Sequence, residues 1–133
     1  MIQAVIDTNV IVSAFLTKHS DAATYKVLQA VLNGSILPLT SRKILKEYND
    51  VLHRPKFHLS DGVIQRVLSA FVTYGCIVEP ARTLIILPDP KDVPFWEIIL
   101  SCPNAYLVTG NKKHFPQDAH VVSPAEMLDL LER

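Results

Sequence analysis

The stretch IQAVIDTNVIVSAFL, residues 2–16, decides the fold. Its first five residues read as a short buried strand, and the apolar run after Asp7 reads as a loop passing into a helix. The same alternation continues along the chain. Ser20 or Asp21 is placed to cap a second helix running to Leu32, which Asn33-Gly34 ends with a left-handed cap. SILPL (35–39) is a second strand. Ser41 caps a helix to about His53, stopped by Arg54-Pro55 because a residue before proline avoids helical dihedrals. Ser60 opens a helix whose apolar positions Val63, Ile64, Val67, Leu68 and Phe71 share one face, and Gly75 ends it. A strand at CIVE (76–79) and the proline-punctuated loop LPDPKDVP (87–94) follow. Then come a helix to about Ser101, strands AYLVT (105–109) and HVV (120–122), and a last helix capped by Ser123 with Pro124 in its first position.

Short apolar strands alternating with helices predict an α/β fold, a three-layer α/β/α sandwich around a mostly parallel sheet. A length of 133 residues suits one domain over 1–133. With 49% hydrophobic and 20% charged residues, the composition is that of a folded chain. Thirteen basic side chains balance thirteen acidic ones, so a nucleic-acid or membrane partner would have to be met locally. Cys76 and Cys102 form no Cys-x-x-Cys pair, and His19, His53, His58, His114 and His120 lack zinc-finger spacing, which argues against a structural zinc. The apolar stretch after Met1 is broken by Gln3 and Asp7, and no run suits a signal peptide or membrane span; the expected location is the cytoplasm. No Gly-rich phosphate loop follows any strand, against a nucleotide binder.

Ligands of open parallel sheets gather at the carboxyl ends of strands. Asp7 and Asn111 both fall at such ends, and they face one crevice if strands 2–6 and 105–109 are parallel neighbours. On the helix after Ser41, about 100° per residue gives an apolar stripe of Ile44, Leu45, Tyr48, Val51 and Leu52. Glu47 lies at the edge of that stripe, where a carboxylate is costly unless paired or bound to a cation. Pro94 fits only a first helical turn, which places Asp92 near the helix start with Asp89 three residues before it. Each residue also has a plain structural role: Asp7 and Asp92 as caps, Glu47 as a solvated helix residue, Asn111 as a turn residue.

Taken together, VIDTNVIVSAF (5–15), LTSRKILKEYNDVLHRPKF (39–57), LPDPKDVPFWEIIL (87–100) and AYLVTGNKKHF (105–115) resemble the PIN-domain family. The likeness is nearest to its branch of toxins from bacterial and archaeal toxin–antitoxin systems. The resemblance implies a Mg2+- or Mn2+-dependent endoribonuclease. It carries the acidic positions over to Asp7, Glu47 and Asp92, with Asp89 as a companion, and makes Asn9 and Thr109 supporting residues. Family members commonly have Asp after the TG; Asn111 stands there in this chain and would reach a metal through water. That departure opens a second reading, a weakly active or inactive module binding RNA or a protein partner. The resemblance also implies a small antitoxin partner and a homodimer, with Val12, Phe15 and Leu16 serving either an interface or the core.

The chemistry suits the residue types. Phosphodiester hydrolysis needs an activated water, charge stabilisation and an assisted leaving oxygen, all of which hard divalent cations supply. At ~4 Å and an effective dielectric near 20, each carboxylate pair repels by about 4 kcal/mol, which a bound dication offsets. Lys112, Lys113 and His114 beyond the acids, with Arg42, Lys43, Lys46, Arg54 and Lys56, are candidates for flanking phosphates. No aromatic-basic interleave marks a base-reading module.

Overall fold

The computed structural model describes residues 1–133. Five strands form one wholly parallel sheet: β1 (Ile2–Ile6), β2 (Ile36–Thr40), β3 (Cys76–Ile77), β4 (Tyr106–Val108) and β5 (Val121–Val122), in the order β3-β2-β1-β4-β5. Six helices cover it: α1 (Thr8–Leu16), α2 (Ala23–Leu32), α3 (Arg42–Leu52), α4 (Asp61–Tyr74), α5 (Val93–Ser101) and α6 (Pro124–Leu131). The fold is the three-layer α/β/α sandwich that the strand and helix alternation implies. No helix is long and apolar enough to cross a membrane.

The central strand explains why residues 2–16 carry so much information. Ala4, Val5 and Ile6 are buried because β1 is flanked by β2 and β4 and covered on both faces. Thirty buried apolar residues form a single continuous cluster around it. Fully covering a Leu, Ile or Val side chain contributes roughly 1.5–3 kcal/mol against the entropy of ordering the chain.

Most boundaries fall where local chemistry sets them. Ser41, Ser60 and Ser123 each accept a hydrogen bond from the amide three residues on, at Ile44, Val63 and Glu126. Glu126 returns the bond to the Ser123 amide, closing a capping box. Gly34 takes φ +87° after α2, the left-handed conformation that glycine tolerates best. Gly75 is needed for space: a Cβ there would lie 2.1 Å from the Pro38 carbonyl oxygen and 2.6 Å from that of Phe71.

Three expectations are corrected. Neither Ser20 nor Asp21 caps α2, which begins at Ala23 with Ala22 in the cap position and no side-chain bond. The strand expected over 76–79 pairs only at Cys76 and Ile77. In α4, Ile64, Val67 and Phe71 are buried but Val63 is exposed, since it lies off the face turned to the core. On α1, Val12 and Phe15 pack against the core and Leu16 is half exposed.

Candidate active site

From β1 the chain adds β2 and β3 on one side and then crosses back to add β4 and β5 on the other, so the sheet's switch point opens between the carboxyl ends of β1 and β4. That crevice is where parallel sheets collect ligands. Asp7 leaves β1 there, its amide bound to the Val108 carbonyl at 2.9 Å, and its side chain is buried. Thr109 leaves β4 alongside and donates its hydroxyl to Asp7 Oδ2 at 2.7 Å. Asp7 occupies the cap position of α1 with no capping hydrogen bond of full geometry, although the Thr8 and Asn9 amides lie near enough to favour its charged form.

Glu47 arrives from α3. Its neighbour Tyr48 is fully buried, stacks edge-on to Phe71 at 5.5 Å, and donates its hydroxyl to the carbonyl of Ile6, the last residue of β1. This anchor sets the next side chain along, Glu47, beside the start of α1, where Glu47 Oε2 accepts the Thr8 hydroxyl. Lys43, Lys46 and Asp50 point outward as the helical stripe requires.

Asp92 comes from the opposite side, in the single-turn 3-10 helix Pro90–Asp92 that runs into α5. It is 8% exposed and, like Asp7, makes no capping bond. Asp89 does cap: its Oδ1 accepts the Lys91 amide at 2.9 Å.

The carboxyl groups sense one another. Burial pushes Asp92 up to about 6, helped by the charges of Asp7 and Asp89 and opposed by His114. Burial likewise raises Asp7, against the Thr109 hydroxyl, the Thr8 and Asn9 amides and the charge of His114. Glu47 is raised by burial and by Asp7 and Asp89, and lowered by the Thr8 hydroxyl and Lys91. This is the electrostatic signature of an anionic cluster, in which an added cation relieves the repulsion. The donors are hard oxygens, matched in chemistry to Mg2+ or Mn2+. As placed, no three acidic, histidine or cysteine side chains converge at coordination spacing. Filling the site would therefore require the carboxylates to draw together.

His114 and Asn111 sit differently from the sequence expectation. Asn111 Nδ2 lies 2.9 Å from His114 Nε2, and His114 Nδ1 lies 3.1 Å from Asp92 Oδ2. Asn111 thus touches the acidic cluster through an imidazole. His114 is held against a carboxylate, so it is not the free phosphate ligand expected from its place behind two lysines. Asn9 contributes a long contact, 3.4 Å from the Gly110 amide to its Oδ1.

The basic residues divide into two groups. Lys43, Lys46, Arg54 and Lys91 border a shallow depression beside Glu47, while Lys112 and Lys113 line a separate cleft with Phe115 and Gln117. Lys46 pairs with Asp50 and Lys112 with Glu126, both at 2.9 Å and well exposed. Arg42 is exposed beside them, and Lys56 lies over the Phe57 ring instead. Thr8 and Lys91 were not singled out from sequence; Thr8 stood inside the DTN motif and Lys91 inside DPKD.

The fold and site are those of a parallel α/β sandwich with acidic side chains gathered at the switch point of its sheet. Within that class the chain belongs to the PIN-domain family, whose model, described as PIN domain, matches residues 3–113. PIN domains are generally nucleases that use divalent metals. No curated protein and no solved structure matches the chain significantly.

Proposed function

We propose that this protein is a Mg2+- or Mn2+-dependent endoribonuclease that hydrolyses RNA phosphodiester bonds, acting as the toxin of a toxin–antitoxin pair in the cytoplasm. The observation carrying the nuclease reading is that Asp7, buried at the sheet's switch point, lies close enough to Glu47 and to Asp92 for its charge to raise both. Asp7, Glu47 and Asp92 would hold the metal, with Asp89 nearby and Asn111 reaching it through water. Bound there, the cation would polarise the phosphate and lower the pKa of a water.

The chain's own residues supply the remainder. Thr109 holds Asp7 in place through a buried hydrogen bond, and Thr8 does the same for Glu47. His114 steadies Asp92 and offsets part of its charge. Lys43, Lys46, Arg54 and Lys91 border the depression that Glu47 lines, and Lys112 and Lys113 follow Asn111 in the chain, so an RNA strand crossing the acids would meet basic groups along its backbone.

The test is cleavage of single-stranded RNA by purified protein with Mn2+. Activity should vanish with chelator and in Asp7→Asn; full cleavage by Asp7→Asn defeats the proposal. The second reading, an inactive RNA- or protein-binding module, is favoured by the neutral Asn111 and its bond to His114. Chelator-sensitive cleavage restored by Mn2+ would eliminate it. The toxin role further expects growth arrest on expression, relieved by a small antitoxin protein.

A further inference from the structure

Glu97 is a buried acid that the candidate active site does not use. It sits in α5, whose start carries Asp92, and is 6% exposed. One carboxylate oxygen, Oε2, accepts the Thr83 amide at 2.8 Å and so ties the segment after β3 to α5. The other, Oε1, has no partner. The protein's ion pairs all lie elsewhere, at Lys46–Asp50, His53–Asp61, Lys112–Glu126 and His114–Asp92. Nor is Oε1 sealed inside, since the one enclosed side-chain polar atom lacking a partner is Thr40 Oγ1. A carboxylate taken out of water without a cation or a full set of donors is costly, so anchoring Thr83 accounts for only one of its two oxygens.

Glu97 opens on a cavity of about 280 Å³ at the carboxyl ends of β2 and β3, the same edge of the sheet as the acids. Val78, Pro80 and Pro94 give its walls carbon surface, and Arg42, Lys43 and Arg82 stand exposed around it. None of these three cations has an ion-pair partner. Against them stands one exposed carboxylate, Glu79. Lys43 also borders the depression that Glu47 lines, so the two hollows adjoin.

A ligand for this cavity needs a donor edge for the buried carboxylate, flat faces for the carbon walls and an anionic group for the cations. A basic peptide side chain would satisfy Glu97 but meet Arg42, Lys43 and Arg82 with like charge. A nucleotide meets all three needs. Among the four RNA bases, guanine alone presents two adjacent donors on its Watson–Crick edge, N1–H and N2–H, the pair that matches the two oxygens of a carboxylate. Adenine and cytosine set a ring-nitrogen acceptor beside the amino group, and uracil flanks its N–H with carbonyls, so each would turn lone pairs toward Glu97. Oε2 keeps a second lone pair after accepting from Thr83.

We propose that this cavity is a guanine subsite, in which Glu97 accepts from N1–H and N2–H while Arg42, Lys43 and Arg82 face the phosphates of the same strand. As a statement about RNA it rests on the ribonuclease reading. It makes Glu97 a specificity-determining residue, selecting a base that an RNA strand leaving the acids past Lys43 would place in the cavity.

Guanosine 5′-monophosphate is the probe, titrated into the full chain in the presence of chelator and followed by amide NMR shifts, so that neither metal nor cleavage enters the readout. It should bind about tenfold or more tightly than the adenosine, cytidine and uridine monophosphates, and shift the amides around Val78, Arg82 and Glu97. Inosine 5′-monophosphate, which lacks the N2 amino group, should lose most of that margin; this comparison needs no variant. Glu97→Gln should abolish the preference, whereas Arg82→Ala should weaken all four nucleotides alike. Equal affinity for the four in wild type, inosine bound as well as guanosine, or a preference that survives Glu97→Gln would each overturn the proposal. So would an arginine-rich peptide that binds at these amides more tightly than any nucleotide, which would place a basic protein segment there. Guanine preference without RNA cleavage would sink the nuclease reading and leave the subsite standing; cleavage without the preference would sink the subsite alone.

Discussion

The Thr109 hydroxyl donates to Asp7 Oδ2 at 2.7 Å, tying together residues 102 positions apart at the carboxyl ends of two neighbouring parallel strands. Both partners are buried, so the bond has no solvent to replace it. Thr109→Val keeps the shape and removes the donor, leaving a buried carboxylate short of a partner. The expected loss is about 1–3 kcal/mol in chemical denaturation at neutral pH. Thr109→Ser, which retains the hydroxyl, should recover most of it; equal losses in the two variants would assign the effect to packing alone.

Acidity offers a second check. The folded-state values of Asp7, Glu47 and Asp92 lie above their ordinary ones, so the native protein holds protons that the unfolded chain releases. Stability from this source is fully present below the unfolded values and is lost as pH rises through the folded ones. For Asp92 the window runs from 3.8 to about 6. At ~1.36 kcal/mol per pH unit this amounts to a loss on the order of 3 kcal/mol across that window. In the presence of chelator, wild-type Tm should fall over that window by more than that of Asp92→Asn. Parallel profiles would show that Asp92 is not strained by burial and neighbouring charge.

Asn111 provides a third. Replacing it with Asp adds a negative charge next to His114, which already faces Asp92. Mn2+ binding by calorimetry should tighten in Asn111→Asp. The gain should stay within about tenfold, because His114 takes up part of the new charge. Unchanged or weaker affinity would mean that position 111 does not address the acidic crevice.

Gly75 tests the fold independently of the site. A methyl group there meets backbone oxygens of Pro38 and Phe71 well inside contact distance. Gly75→Ala should therefore cost about 1–3 kcal/mol or more, read as a lower denaturant midpoint. Gly62→Ala, where nothing lies within 4 Å of the added carbon, is the matched control and should be neutral or stabilising.

These contrasts show which parts of the molecule could be read from sequence. Ser41, Ser60 and Ser123 announce their helices because capping is a local event, decided within four residues. Asp7, Glu47 and Asp92 are legible only as a set, since each residue alone is equally at home in a cap or on a solvated helix; in the structure the charge of Asp7 reaches both of the others. What sequence did not convey depends on packing between distant segments. The Thr8–Glu47 bond requires Tyr48 to dock on the Ile6 carbonyl, and the His114–Asp92 contact requires β4 to lie beside β1.

The central claim is that Asp7, Glu47 and Asp92 together grip one divalent cation, and the direct measurement is a Mn2+ titration followed by electron paramagnetic resonance, with no RNA present. Wild type should bind one ion in this site, with affinity lost in Asp7→Asn and sharply reduced in Asp92→Asn and Glu47→Gln, while each variant still unfolds cooperatively. Mn2+ affinity that is the same in wild type and all three variants would contradict the account.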